Sequence, residues 1–173
     1  VELIDGDPHF WQDPLRVVEA ASVIAEAVAA PGVETCEDDY IAQLVQLDRD
    51  IATMLAPLPD NARVMVTSHD SLEYFADRYD IEIIGTVIPS TNTLAQTNAA
   101  DLAALATLVD ERNVRAIFTE QLESSNDAEA LAERLGVNIV PLVTDALTDD
   151  PGTDTYLEMM RSNAMSIAQS LAP

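Results

Sequence analysis

The sequence predicts an α/β fold: a small parallel four-stranded sheet flanked by helices, preceded by one long helix. Three observations lead there. From Ala62 onward, short apolar runs alternate with helix-period segments in a repeated β-α order. Those apolar runs are rich in Val and Ile and do not alternate with polar residues, as expected of strands covered on both faces. Ahead of them, residues 36–56 keep one apolar face at helical spacing for about 20 residues, or about 30 Å. That is long for a connection between adjacent layers and suits a strut between two lobes.

Taken in order, residues 1–13 read as extended or turn-like, with Asp5-Gly6-Asp7-Pro8 as a turn signal. Asp13 is placed to cap a helix whose first residue is Pro14. That helix is expected to run to about Ala30, with Leu15, Val18, Ser22, Ala25 and Val28 along one stripe, and to stop at Pro31-Gly32. The next helix carries Tyr40, Leu44, Leu47, Ile51 and Met54 on its apolar face and ends at Pro57 and Pro59. Strands are expected at Arg63–Thr67, Glu82–Ile88, Ala116–Thr119 and Val137–Val143. Helices are expected at Asp70–Tyr79, Ala99–Arg112 and Asp127–Leu135. A last helix, about Thr153–Leu171, sets Tyr156, Met160, Asn163, Ile167 and Leu171 on one face. Right-handed crossovers make the sheet parallel.

Composition narrows the function. The chain has 173 residues, 48% of them hydrophobic, enough for one ordinary core. No apolar run approaches the ~20 residues of a membrane span. The formal net charge is −23, with no lysine, and all eight basic residues are arginine. Such a chain has little with which to neutralise a row of phosphates, so nucleic acid is not an expected partner. Cations are the natural small partners, because an acidic protein raises their local concentration. The same acidity also serves solubility or a saline habitat. A single cysteine, Cys36, rules out an intrachain disulfide and a cysteine-based zinc cluster. The opening VELIDGDPHF reads as the middle of a protein, so a fragment or a processed chain is expected.

The chemistry gathers at the carboxyl ends of the strands, where open parallel sheets bind ligands. The first strand leads into His69, the third into Glu120 and the fourth into Asp145. His9, the only other histidine, stands just ahead of a helix N-terminus between Pro8 and the aromatics Phe10 and Trp11. Imidazole with carboxylate is a ligand set for zinc, manganese or iron(II). Each residue also has a plainer reading. His69 suits a hydrogen-bonded turn, Glu120 a partner for an arginine, Asp145 a cap, and His9 packing against Trp11. No Gly-rich loop follows the first strand, where Thr67-Ser68-His69-Asp70 stands, which disfavours a nucleotide-binding Rossmann domain.

The segment Asp7-Pro8-His9-Phe10-Trp11-Gln12-Asp13-Pro14 resembles the DPHxWxDP motif of the zinc/manganese-binding solute-binding proteins of bacterial ABC transporters (the metal-binding cluster A-I, or family 9, solute-binding proteins). Val66–Asp70 with Glu73–Tyr79, Ile117-Phe118-Thr119-Glu120, and Thr144–Leu147 with Asp154–Asn163 resemble that family's later segments, in the same order. The resemblance implies two α/β lobes joined by one long helix, with a metal between them. Residues 1–34 would end the N-terminal lobe, 35–57 would be the linker helix, and 58–173 the C-terminal lobe.

It further implies His9, His69 and Asp145 as metal ligands, with Glu120 orienting a histidine from behind, and a further histidine ligand from an earlier part of the N-terminal lobe. The cargo would be zinc, or else manganese, and the partner an ABC permease. The place would be the periplasm or the outer face of the cell membrane, with no reaction catalysed. Two features depart from the pattern: Gln96-Thr97-Asn98 stands where many relatives carry Glu-Pro-Ser, and Asn126 where a lysine is common. Two other functions suit the same residues. One is a metal-dependent hydrolase with Glu120 as general base; the other is a surface adhesin stiffened by metal.

Overall fold

The computed structural model describes residues 1–173 apart from 5, 29, 89–98 and 122–125. Asp5 of the first turn, Ala29 near the end of the first helix, Pro89-Ser90 after the second strand and Gln96-Thr97-Asn98 therefore lie outside the described residues. The elements follow one another as a one-turn 3-10 helix at Phe10–Gln12, α1 (Pro14–Val28), α2 (Val33–Leu55), β1 (Val64–Thr67), α3 (Glu73–Tyr79), β2 (Glu82–Thr86), α4 (Ala99–Glu111), β3 (Ala116–Glu120), α5 (Asn126–Leu135), β4 (Asn138–Leu142) and α6 (Tyr156–Leu171). The four strands form one sheet in the order β2-β1-β3-β4, and every pairing is parallel. This is the α/β architecture that the β-α alternation predicts.

Each strand divides its side chains between two cores. Met65 of β1, Ala116 and Phe118 of β3 and Leu142 of β4 face one core, shared with α2, α3 and α6. Val64, Val66 and Ile117 face the other, shared with α4 and α5. Both faces are apolar, so the strands read as unbroken apolar runs.

Element ends are set by local bonds. Asp13 caps α1, its Oδ1 accepting the Leu15 N–H at 2.8 Å. Gly32, at φ +87°, makes the left-handed turn between α1 and α2. Helix α3 begins at Glu73 and not at Asp70, because the Ser71 N–H donates to the His69 carbonyl (3.0 Å) in a separate turn. Helix α6 begins three residues later than its expected start. Thr155 caps the helix: the Glu158 N–H donates to Thr155 Oγ1 at 3.3 Å, and that hydroxyl donates to Glu158 Oε2 at 2.8 Å.

Helix α2, of 23 residues, buries Leu44, Leu47, Ile51 and Leu55 and packs along α1 and α6. Helix α1 keeps Leu15, Val18, Ser22 and Ala25 of its expected stripe half-buried and exposes the stripe's end. Val28 is exposed, as are Val23 and Ile24. The helix packs chiefly on α2, and among the described residues its far side has no layer over it.

A buried aromatic–acid contact ties α2 to α3. Tyr79 donates its hydroxyl to Asp48 Oδ1 at 3.3 Å. Burial, and then the Asp48 charge, push the Tyr79 phenol far above its ordinary 10.0. Burial raises Tyr156 likewise. The unfolded chain therefore loses these protons first as pH rises. Their contribution to stability is intact below about pH 10 and declines above it, by about 1.4 kcal/mol per pH unit for Tyr79. Urea midpoints measured from pH 8 to 11.5 should fall above pH 10, with a visibly shallower fall in Tyr79→Phe.

Candidate metal centre

The strand order reverses its winding between β1 and β3, and the site lies at that reversal. His69 follows β1, and Glu120 ends β3. Asp145 follows β4, just past Thr144. The segment before α1 passes over the same edge and brings in His9. His9 and His69 are 4% and 1% exposed, whereas the Asp145 side chain is 44% exposed. One possible ligand atom from each of the three lies within 4.8 Å of the others. His9 Nε2 and Asp145 Oδ1 are 3.8 Å apart. Donors around tetrahedral zinc sit roughly 3.3 Å apart, given bonds of about 2.0–2.1 Å. The imidazole rings of His9 and His69 meet edge to face, with centroids 5.6 Å apart.

A carboxylate backs each histidine. His69 Nδ1 faces Glu120 Oε1 at 3.4 Å. Glu120 is itself held: Ser71 Oγ donates to Oε1 at 3.1 Å, and the Thr144 hydroxyl donates to Oε2. His9 Nδ1 lies 2.5 Å from Asp7 Oδ1, which also accepts the His9 backbone N–H at 3.0 Å. The sequence marks Asp7 as part of a turn and not as a partner of His9. Its position two residues before His9 is an Asx-turn signal that points to it. Gly6, at φ +82°, shapes the preceding turn, which the Asp7 N–H closes on the Ile4 carbonyl at 2.8 Å.

Trp11 and Gln12 hold the His9 segment to the loop that bears Asp145. Trp11 Nε1 and Gln12 Nε2 both donate to the Thr144 carbonyl, at 2.9 and 3.1 Å. Tyr156 donates to the Trp11 carbonyl at 2.7 Å. His9 also meets Trp11 edge to face, at 5.4 Å between centroids, so its packing and its place in the cluster coexist. Asn163 of α6 is a second residue the sequence did not single out for the site. Its amide brackets Val143, with Oδ1 accepting the N–H at 3.1 Å and Nδ2 donating to the carbonyl at 2.6 Å. It thereby fixes the exit of β4, two residues before Asp145.

Fold and switch-point site together define an α/β lobe of the solute-binding-protein type. The family model described as ZnuA, zinc-uptake complex component A, periplasmic, matches residues 3–170, and the chain belongs to that family. It is 29% identical to the zinc-binding protein TroA of Treponema pallidum, covering 99% of this chain and 59% of that protein. It is 25% identical to the manganese-binding lipoprotein MntA of Halalkalibacterium halodurans, with 99% and 60% covered. It is 29% identical to the high-affinity zinc uptake system protein ZnuA of Bacillus subtilis, with 95% and 53% covered. The solved periplasmic zinc-binding protein TroA of Treponema pallidum superposes with a TM-score of 0.89 at 28% identity, over all of this chain and 67% of that one. The chain thus spans roughly three fifths or less of the curated relatives described here.

Replacing Asn163 with Ala strands the Val143 N–H and carbonyl in a buried place. Each unmet group costs about 1–3 kcal/mol. Chemical denaturation should show Asn163→Ala destabilised by about 2–4 kcal/mol, well beyond a surface substitution such as Gln43→Ala.

Proposed function

We propose that this chain belongs to the solute-binding component of a bacterial ABC importer and holds a divalent transition metal as cargo, zinc ahead of manganese. The observation that carries this reading is the convergence of His9, His69 and Asp145 within 4.8 Å, with a carboxylate behind each imidazole. His9, His69 and Asp145 are the ligands, and Asp7 and Glu120 orient the two rings. A carboxylate behind a metal-bound histidine fixes its tautomer and direction. Imidazole-rich sets suit zinc, and affinity at such sites favours zinc over manganese. The zinc- and manganese-binding relatives support both ions as candidates.

In this reading residues 1–34 close an N-terminal lobe, 35–57 form the strut and 58–173 the C-terminal lobe. The packing of α2 along α1 and α6 supports that division. The partner is an ABC permease, and the protein works outside the cytoplasmic membrane. No described helix is long and apolar enough to cross a membrane. The chain performs no reaction. The two hydroxyls on Glu120, and its place behind His69, suit an orienting role better than that of a base acting on an open water.

Calorimetric titration tests the proposal. Zinc should bind at one ion per chain, more weakly than at a site completed by a further histidine. His9→Ala and His69→Ala should each abolish binding or weaken it more than tenfold, and Glu120→Gln should weaken it about 10- to 100-fold. Absence of zinc binding, or binding indifferent to both histidine variants, would overturn it.

A further inference from the structure

We infer that Tyr74 and Arg78 of α3 are positioning residues that hold His9 in register with His69, an inference that rests on the function proposed above. Helix α3 begins four residues after His69, so its place is tied to that ligand. Tyr74 and Arg78 are four residues apart and share one face of the helix. Both reach the segment that carries His9. The Tyr74 hydroxyl, on a side chain only 1% exposed, accepts the Ile4 N–H at 2.8 Å and donates to the Asp7 carbonyl at 2.8 Å. It thus spans the turn that presents Asp7 to the His9 ring. The Arg16 guanidinium lies 4.7 Å over the Tyr74 ring and closes the other side.

Arg78 makes a fork on Asp48 of α2, with Nε to Oδ1 and Nη2 to Oδ2, both 2.8 Å. The same Nε lies 4.0 Å from Oδ1 of Asp13, the cap of α1. Burial raises the Asp13 carboxyl above its ordinary range, and Arg78 is among the charges that oppose this. One short helix therefore meets the His9 segment at both ends, by hydrogen bonds at the Asp7 turn before the histidine and by an ion pair with Asp13 after it. His9 then belongs mechanically to the body that carries His69. Two of the three ligands are set against each other before any ion arrives, which lowers the ordering cost of binding.

The chain's only tryptophan, Trp11, sits two residues from His9 and reports on the segment without metal. The variants are Tyr74→Phe, which keeps the ring, and Arg78→Lys, which keeps the charge. Each should weaken zinc binding about 3- to 10-fold, the scale of one net hydrogen bond. Each should also shift Trp11 emission to the red and increase its quenching by acrylamide. In a His9→Ala background any remaining zinc affinity should not respond to either variant, because the gripped ligand is gone, and where no binding remains the Trp11 signals decide. Thermal midpoints, measured in parallel, separate this coupling from simple loss of fold.

An equal loss of affinity in the His9→Ala background would overturn the inference and mark the pair as structural only. So would unchanged Trp11 emission and quenching in both variants. If the parent chain binds no zinc, the proposed function fails by itself, and the Trp11 signals still decide whether α3 holds the segment.

Discussion

The reversal of winding between β1 and β3 is the constraint on which the rest depends. The chain leaves β1 to build β2 on one side and returns to place β3 on the other. The connections that leave neighbouring strands β1 and β3 thus diverge, and a crevice opens outside their carboxyl ends. A side chain at that point can be buried without a strand or helix taking its place. His69 and Glu120 use this room, and so they lie in contact although 51 residues of chain separate them. The ladder continues past the strand ends to support them, with the Ser68 N–H on the Phe118 carbonyl and the Val87 N–H on the Thr67 carbonyl, at 2.8 and 2.9 Å.

The second requirement is a lid of backbone over the crevice, and the chain meets it with a segment that has little regular structure. Between Ile4 and Asp13 the regular structure described is one 3-10 turn. The segment's place is set by hydrogen bonds to residues far along the chain, such as Tyr74, Thr144 and Tyr156. Polar bonds suit this task. An apolar contact tolerates sliding, whereas a carbonyl that receives both Trp11 and Gln12 admits one register. The cost is dependence: the His9 half of the site exists only once the sheet and α6 have formed.

This division also explains what the sequence could disclose. The sheet was legible because strands buried on two faces leave unbroken Val/Ile runs, and Val64–Thr67 and Ala116–Glu120 carry them. The positions of His69, Glu120 and Asp145 followed from those runs, since each stands just at a strand's end. What stayed hidden depends on pairing at long range. Nothing local in Asn163 indicates that it will bracket Val143, 20 residues away. Nothing in Arg78 indicates that it will fork onto Asp48 rather than meet solvent. The exposed apolar residues of α1, Val23, Ile24 and Val28, escape for a related reason: periodicity marks an apolar face but does not say whether another element covers it. Asp7 is the intermediate case, because its signal was local and lay in the motif already quoted.

The unequal burial of the three clustered groups has a physical logic under the metal-binding reading. A neutral imidazole can sit in a dry crevice at modest cost, provided its second nitrogen has a carboxylate or carbonyl to meet. A carboxylate without a cation cannot, because the desolvation of an unpaired charge costs several kcal/mol. Asp7 and Glu120 are buried; Asp7 Oδ1 meets the backbone N–H and the ring of His9, whereas its Oδ2 has no hydrogen-bond partner among the described residues, and Glu120 meets two hydroxyls and the His69 ring. Among the described residues Asp145 has no such support beyond the 3.8 Å approach of His9, and it stays partly in water. The imidazoles are therefore fixed by the fold, while the carboxylate gains its reason to leave solvent only when a cation supplies the missing charge. An ion arriving in a chain of net charge −23 then meets the exposed carboxylate first and the buried nitrogens second. That order lets one site attract broadly by charge and select by the geometry of its two histidines.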